Sequence, residues 1–196
     1  LHGQLEVVFV VDGSPDQSHA LLASRLAASP LKATLLLLSR NFGSFAAIRA
    51  GLAEAHGPYF AVMAADLQEP PELVLTFFRT LEQEPVDVVV GTREKRDDPL
   101  LSRVAARLFW GLYRRLVQRE MPSGGVDVFG CNQAFRDHLL SLDESNSSLV
   151  GLLFWLGFRR KQVAYRRLPR LHGQSAWSFR RKLRYLSDSV FAFSDL

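Results

Sequence analysis

The sequence has a single cysteine, Cys131, among its 196 residues, which excludes an internal disulfide and a zinc site built from cysteines. No apolar run approaches the roughly 18 to 20 residues that a membrane-spanning helix needs. Three motifs are also missing: the G-x-x-x-x-G-K-[ST] loop, a G-x-G-x-x-G turn that opens a helix, and a G-x-S-x-G elbow. Their absence disfavours a P-loop nucleotidase and gives no support to dinucleotide binding or to a serine hydrolase.

Acidic residues are absent from residues 157–184, although this segment holds ten of the 24 Lys and Arg residues. The rest of the chain carries 14 basic and 20 acidic residues, so the net charge of +4 comes from this one segment. Such an asymmetry indicates a surface that binds phosphate, anionic lipid or nucleic acid. A solvated basic face without a ligand is the alternative interpretation.

Short apolar runs alternate with segments of helical spacing along the first half of the chain. The runs that predict strands are residues 5–11, 32–38, 59–64 and 86–91. Uniformly apolar strands separated by helices predict an α/β domain whose sheet is mostly parallel and covered on both faces. In the second half, helices are predicted at residues 99–119, 133–142, 146–156 and 175–193, with short strands at 126–131 and 159–165.

Polar residues follow three of the predicted strands, at residues 12–14, 66–69 and 91–93. Ligands of an open parallel sheet gather beyond the carboxyl ends of its strands, so these turns are the candidate site. Asp66 beside the amide of Gln68 suits a hard divalent cation, which prefers oxygen ligands. The alternative for Asp66 is a helix cap before Pro70 and Pro71.

Five stretches stand in order along almost the whole chain. They read EVVFVVDGSPDQS, LSRNFGSF with the following ADLQEPPEL, GTREKRDDPLLSR, DVFGCNQAFR and RLHGQSAWSFRRK. Together they resemble the family 2 glycosyltransferases of the polyprenyl-phosphate and dolichol-phosphate type. The resemblance implies a GT-A fold, a Mg or Mn ion, a nucleotide-sugar donor and a polyprenyl phosphate acceptor at the cytosolic face of a membrane. It also implies one catalytic domain over residues 1–196, and it places the family's first strand before residue 1.

The resemblance divides this domain into a nucleotide-sugar half, residues 1–95, and an acceptor half with membrane-interface helices, residues 96–196. It implies that Asp66 and Gln68 bind the metal ion. Its expected catalytic residues are Asp66, Asp127 and Arg93. The residues expected near the nucleotide sugar are Asp12, Gly13, Ser14, Arg40, Asn41, Gly43, Ala65 and Asp66. Those expected at donor or acceptor phosphates are Arg93, Arg96, Arg170 and Ser175.

Three positions depart from the family pattern. Val11 stands where the family pairs a second acid with Asp12, Ala64 replaces the first acid of its metal motif, and Ala176 replaces a lysine. Transfer to another glycan or lipid acceptor and a catalytically silent scaffold at the membrane therefore stay open as alternatives. A nucleic-acid partner is disfavoured because no binding motif accompanies the basic residues. Self-association is left undecided.

One face of the predicted helix at residues 99–119 has the character of a membrane interface. An α-helix turns by 100° per residue, which places four side chains within about 40° of one line along the helix: Arg103, Arg107, Trp110 and Arg114. A row of arginines interrupted by tryptophan suits a helix that lies among lipid headgroups. The alternative is a helix packed on the core with a basic outer face.

The interface interpretation predicts that the protein binds vesicles containing anionic lipid and binds neutral vesicles poorly. Each basic residue near such a surface contributes on the order of 1 kcal/mol, so replacing the three arginines by glutamine should weaken binding by roughly two orders of magnitude. Added salt should also weaken it. Co-sedimentation measures both effects. If the triple variant sediments like the parent, and Trp110→Ala instead lowers the melting temperature, the helix packs on the core.

Overall fold

The computed structural model describes residues 5–93, 128–142 and 149–169, and the single positions 111, 115, 122 and 126. These residues fall into two compact units, divided between Phe60 and Ala61. Each unit is treated separately below. The predicted division of a single domain at residue 95 stays a prediction.

The first unit contains two strands and two helices. They are β1 (Val7–Asp12), α1 (Ser18–Ala27), β2 (Ala33–Leu38) and α2 (Ser44–Glu54). The two strands pair in parallel, with Val7 opposite Ala33 and Asp12 opposite Leu38. Because α1 carries the chain back between them, both strands end at the same edge of the sheet. Asp12 is thus the last residue of β1, next to the loop that leads into α2.

The second unit has a four-stranded sheet with helices. Its elements are β3 (Tyr59–Val62), which starts just before the division, α3 (Glu72–Gln83), β4 (Val88–Arg93), β5 (Phe129–Asn132), α4 (Gln133–Ser141), α5 (Leu149–Trp155) and β6 (Arg160–Tyr165). The strands lie in the order β3, β5, β4, β6. β4 pairs antiparallel with β5 and parallel with β6. In the described parts of the chain, no helix is both long and apolar enough to cross a membrane.

The core of the second unit lies around β4. Val88, Val89 and Val90 are fully buried, as expected for a central strand covered on both faces. The fully buried side chains of the flanking helices are Phe77 of α3, Phe135 and Leu139 of α4, and Leu152 of α5. Cys131 of β5 is also buried, and this burial raises the pKa of its thiol to about 12. The thiol is therefore protonated and unreactive at neutral pH.

The predicted α/β class is confirmed, and the four predicted strands of the first half coincide with β1 to β4 within a few residues. Among the described strands, β5 pairs antiparallel with β4, an exception within the mostly parallel sheet that was predicted. A short apolar strand buried on both faces carries no signal for its direction, so the sequence pattern could not reveal this. Gly111 and Arg115 of the predicted helix 99–119 are helical. Arg103, Arg107, Trp110 and Arg114 lie outside the described residues, as does the predicted helix 175–193.

The carboxylate of Asp87 joins three parts of the second unit just before β4. Oδ2 accepts hydrogen bonds from the backbone N–H of Arg159 at 3.1 Å and from its Nε at 3.0 Å. Oδ1 accepts from Nη2 of Arg159 at 3.1 Å and from Nδ2 of Asn132 at 3.0 Å. The side-chain hydrogen bond from Arg159 is the main cause that lowers the pKa of Asp87 below its ordinary value. The charged carboxylate therefore stabilises the packing of β4, β5 and β6.

We predict that Asp87→Asn lowers the free energy of unfolding at pH 7 by about 1 to 2 kcal/mol, a modest value because the Arg159 side chain is 64% exposed. The folded-state pKa lies below the unfolded value of about 3.9, so this stabilisation is present above pH 4 and is lost as pH falls through the folded-state pKa. The difference between variant and parent should thus shrink in urea titrations below pH 4.

The matched control is Asp137→Asn on α4. Asp137 is 53% exposed and pairs with Arg136 at 2.9 Å. The Arg136 side chain is only 16% exposed, but the Asp137 carboxylate is open to water, which can replace its partner, so the control should lose clearly less stability than Asp87→Asn. An equal loss for both variants, or a loss for Asp87→Asn that does not depend on pH, would contradict the role assigned to Asp87.

Candidate functional site

The carboxylate of Asp12 holds the turn that precedes α2. Its Oδ1 accepts a hydrogen bond from the backbone N–H of Phe42 at 2.8 Å, and its Oδ2 accepts one from the N–H of Gly43 at 2.9 Å. The Nδ2 of Asn41 donates to the backbone carbonyl of Asp12 at 3.2 Å. Hydrogen bonds from N–H groups to a charged carboxylate are among the stronger ones in proteins. Asp12 therefore shapes the Arg-Asn-Phe-Gly turn.

Gly13 allows the two turns of the first unit to touch. Its φ is +58°, in the left-handed region, and a Cβ added there would lie 2.3 Å from the backbone carbon of Arg40 and from the nitrogen of Asn41. Any other residue would force the turns apart. The predicted nucleotide-side residues Asp12, Gly13, Arg40, Asn41 and Gly43 are thus brought together.

Arg40 is exposed, and its guanidinium lies 4.1 Å from the ring centre of Phe42, which is itself largely exposed. Stacking on an aromatic ring limits the conformations of an arginine side chain without removing its charge. Ser14 follows Gly13 and is also exposed. The turn therefore presents a cation and a hydroxyl at the end of β1, a combination that suits a phosphate-bearing ligand.

In the second unit, β3 is followed by a tight turn over residues 66–69. Leu67 has a φ of +57°, which is unusual for a residue with a branched side chain, and its side chain is 57% exposed. The half-buried Asp66 accepts a hydrogen bond on Oδ1 from the N–H of Gln68 at 3.2 Å. Ala64 and Ala65 are exposed just before the turn. Asp66 is therefore the one carboxylate that the Ala-Ala-Asp stretch places there.

Gln68 binds the segment after β6 through its backbone and its side chain. Its carbonyl oxygen accepts a hydrogen bond from the N–H of Leu168 at 2.8 Å. Its side-chain Nε2 donates to the carbonyl of Leu168 at 3.3 Å, and Oε1 accepts from Nη2 of Arg167 at 2.6 Å. The side chain is buried. Gln68 thus connects two segments about 100 residues apart in sequence.

Glu69 is only 1% exposed and faces the same segment. Its Oε1 lies 3.5 Å from the hydroxyl of Tyr165, which donates to it, and 3.7 Å from Nε of Arg167. A buried carboxylate needs such partners, because an uncompensated charge away from water is very costly. The sequence interpretation included Glu69 only as part of the candidate turn 66–69, and it gave Tyr165 and Arg167 no role in the site. A glutamate directly before two prolines is visible in the sequence, but no spacing connects it to residues so distant.

The residues of the turn fit a metal ion only if a ligand completes its coordination. Within the described ranges, no three or more His, Cys, Asp or Glu side chains are grouped so that they could hold a metal ion. A Mg ion is commonly held by one or two carboxylates together with waters and substrate phosphates, so Asp66 alone suits a metal shared with a diphosphate. The role of Gln68 as a metal ligand stays a prediction, and its Oε1 accepts a hydrogen bond from the Arg167 guanidinium.

Arg93 is the half-buried last residue of β4 and lies opposite Tyr165 in the pairing with β6. The parallel strands β4 and β6 therefore end at one edge, where residues 165–168 meet the turn after β3. The other predicted catalytic and phosphate-binding residues, Asp127, Arg96, Arg170 and Ser175, lie outside the described residues.

Comparison with known proteins gives the chain its relatives. Residues 1–142 match the model of the family described as glycosyl transferase family 2. The chain is 32% identical over 190 residues to the uncharacterized glycosyltransferase YkcC of Bacillus subtilis, covering 96% of the chain and 58% of that protein. It is 29% identical over 187 residues to the undecaprenyl-phosphate 4-deoxy-4-formamido-L-arabinose transferase of Klebsiella pneumoniae, covering 95% and 57%. The chain thus spans a little over half the length of these relatives.

Solved structures agree on the fold. The chain superimposes on S. aureus TarS with a TM-score of 0.53 at 18% identity, covering 84% of the chain and 50% of TarS. It superimposes on the inositol-1-phosphate CTP transferase of T. maritima with a TM-score of 0.54 at 13% identity, covering 93% and 76%. At these identities the likeness concerns the fold alone. The predicted GT-A fold is confirmed.

We predict that Gly13→Ala lowers the free energy of unfolding by about 2 to 5 kcal/mol. About 1 to 2 kcal/mol comes from the left-handed backbone, and the rest from the clash of the new Cβ with the backbone of Arg40 and Asn41. Gly157→Ala is the control, because Gly157 has a φ of +72° with nothing within 4 Å of an added Cβ. Urea denaturation should show a clearly smaller loss for the control, and equal losses would mean that the two turns do not touch.

Proposed function

Because the chain belongs to glycosyl transferase family 2, we propose that it carries the catalytic domain of an enzyme that transfers a sugar from a nucleoside diphosphate sugar to a polyprenyl phosphate. One observation carries the choice of acceptor. The family model ends at residue 142, whereas the similarity to the Klebsiella pneumoniae transferase, whose name specifies undecaprenyl phosphate, covers 95% of the chain. The similarity therefore extends into the basic segment 157–184, which suits an anionic acceptor.

On the donor side, we assign the metal ion to Asp66. A Mg or Mn ion bound there would neutralise the charge that develops on the leaving nucleoside diphosphate. Arg93, at the end of β4, is assigned to donor or acceptor phosphates, where a fixed guanidinium would add to this neutralisation. The acceptor phosphate is already an anionic nucleophile, so the reaction needs no histidine as general base.

The Asp12 turn is assigned to the nucleotide. Both carboxylate oxygens of Asp12 accept hydrogen bonds from backbone N–H groups, those of Phe42 and Gly43, so Asp12 acts by shaping the turn. The exposed, ring-stacked Arg40 is then the residue of this turn that suits the ligand's phosphates. A polyprenyl phosphate acceptor also implies that the enzyme acts at the cytosolic face of a membrane, with the anionic membrane surface as its partner.

A catalytically silent scaffold that keeps the fold is the second candidate. The observation that favours it is the loss of two family acids, because Val11 and Ala64 stand in their places. A protein of this kind would neither hydrolyse nor transfer from any nucleotide sugar with metal present.

A thermal-shift screen of UDP-, GDP- and dTDP-sugars with Mn²⁺, followed by a turnover assay, separates the two candidates. A ligand at 100 times its dissociation constant should stabilise the native state by roughly 2.7 kcal/mol. A hit is then followed by transfer to a short-chain polyprenyl phosphate. No turnover of any donor, with or without a thermal shift, would favour the scaffold, and transfer only to a different acceptor would overturn the polyprenyl assignment.

We predict that Asp66→Asn weakens Mn²⁺-dependent donor binding by at least about tenfold without a change in melting temperature, because the substitution removes the anionic ligand and keeps the size. Glu82→Gln, an exposed acid on α3, is the matched control and should bind like the parent. Ala64→Asp should tighten Mn²⁺ binding, since it adds a second carboxylate at an exposed position two residues before Asp66. Isothermal titration measures all three. Parent-like affinity in Asp66→Asn would mean that Asp66 only caps the turn.

A further inference from the structure

Leu67 occupies a backbone conformation that its own sequence does not favour. At a φ of +57° its Cβ crowds the following carbonyl, a conformation that glycine adopts easily and leucine rarely. The Leu67 side chain is 57% exposed, so apolar burial gives the conformation little compensation. Strained backbone of this kind persists only where the surrounding structure holds it, and it concentrates at functional sites.

The residues that hold this turn come from the segment 165–168. The backbone N–H of Leu168 donates a hydrogen bond to the carbonyl oxygen of Gln68 at 2.8 Å, and the guanidinium of Arg167 donates one to its Oε1 at 2.6 Å. Gln68 lies between Leu67 and Glu69 in the sequence. The guanidinium also lies within 3.7 Å of the carboxylate of Glu69. One planar, rigid cation thus contacts two consecutive residues of the turn. A lysine, with a single compact charge, could not reproduce this fork.

The same turn sets the direction of the Asp66 carboxylate. Its Oδ1 accepts the N–H of Gln68, so the carboxylate follows the backbone of the turn when that backbone moves. We propose that Arg167 is a positioning residue: by fixing Gln68 and Glu69 it keeps Leu67 left-handed, and it thereby orients Asp66 toward the donor diphosphate. This inference rests on the proposed function, which supplies the donor.

A different role for Arg167 makes a different prediction. If Arg167 instead contacted a substrate phosphate directly, its effect on donor binding would not depend on the backbone conformation of Leu67. If Arg167 acts through the turn, then glycine at position 67 should remove the need for it, because glycine adopts a φ of +57° without strain. The double variant Arg167→Lys with Leu67→Gly therefore distinguishes positioning from direct contact.

The experiment compares the parent, Arg167→Lys, the double variant and the control Arg79→Lys, an exposed arginine of α3. The first measurement is amide hydrogen exchange at Gln68 and Leu168, which reports the turn without any ligand. The second is the dissociation constant for the nucleotide sugar that gives the largest thermal shift, measured with Mn²⁺. We expect Arg167→Lys to raise the exchange rate of the two amides and the dissociation constant for the donor by about tenfold each. The double variant should recover most of each change, and the control should match the parent. If Arg167→Lys does not fold, Tyr165→Phe removes only the hydroxyl that donates to Glu69 and should give a smaller change of the same kind.

Unchanged exchange in Arg167→Lys would overturn the proposal. So would a loss of donor affinity that Leu67→Gly does not rescue, because it would mean direct contact with the ligand. Faster exchange with unchanged donor affinity would overturn it as well, since the turn would then not position Asp66. If the parent binds no nucleotide sugar at all, the proposed function fails and with it the donor-directed role of Asp66. The exchange data alone would then decide whether Arg167 holds the turn.

Discussion

The guanidinium of Arg167 lies against Gln68 and Glu69, and the turn that carries Asp66 depends on this contact. A left-handed leucine cannot hold its conformation by local propensity, and the buried Glu69 cannot keep its charge without a partner. The Arg167 guanidinium both supports the backbone of the turn and is a charged partner for Glu69. In the first unit Asp12 has the corresponding task with the opposite charge, because its carboxylate binds the N–H groups of the turn before α2. In both units, charged side chains shape backbone at the ends of strands.

This division of labour changes how the motif residues are understood. Asp12 and Gln68 belong to the motifs that resemble the family, yet in this structure their polar atoms are engaged with the protein itself. The chemistry is then assigned to fewer groups, chiefly Asp66 and the arginines. Alanine at position 64, in place of an acid, agrees with this assignment, because a metal ion shared with a diphosphate needs fewer protein ligands than one held by the protein alone.

Much of the fold could be predicted from the sequence, because the strands are continuous apolar runs and the helices between them have clear spacing. The grouping of residues 12–13 with 40–43 also followed from the motifs. What could not be predicted are the contacts between distant residues: Asp87 with Arg159, Gln68 with Arg167, and the antiparallel direction of β5. Each depends on three-dimensional proximity between segments whose own sequences are ordinary. The left-handed Leu67 was equally hidden, since local sequence favours another conformation there.

The contact between Gln68 and Arg167 spans 99 residues, and this separation has a consequence for synthesis on the ribosome. Chains fold from the amino terminus while they are being made, so Asp66 leaves the exit tunnel long before its turn has the partner that orders it. Until residue 168 has emerged, a nascent chain carries the motif without the conformation. Completion of the turn after β3 is therefore a late event in the biogenesis of the second unit, timed by the appearance of the segment after β6.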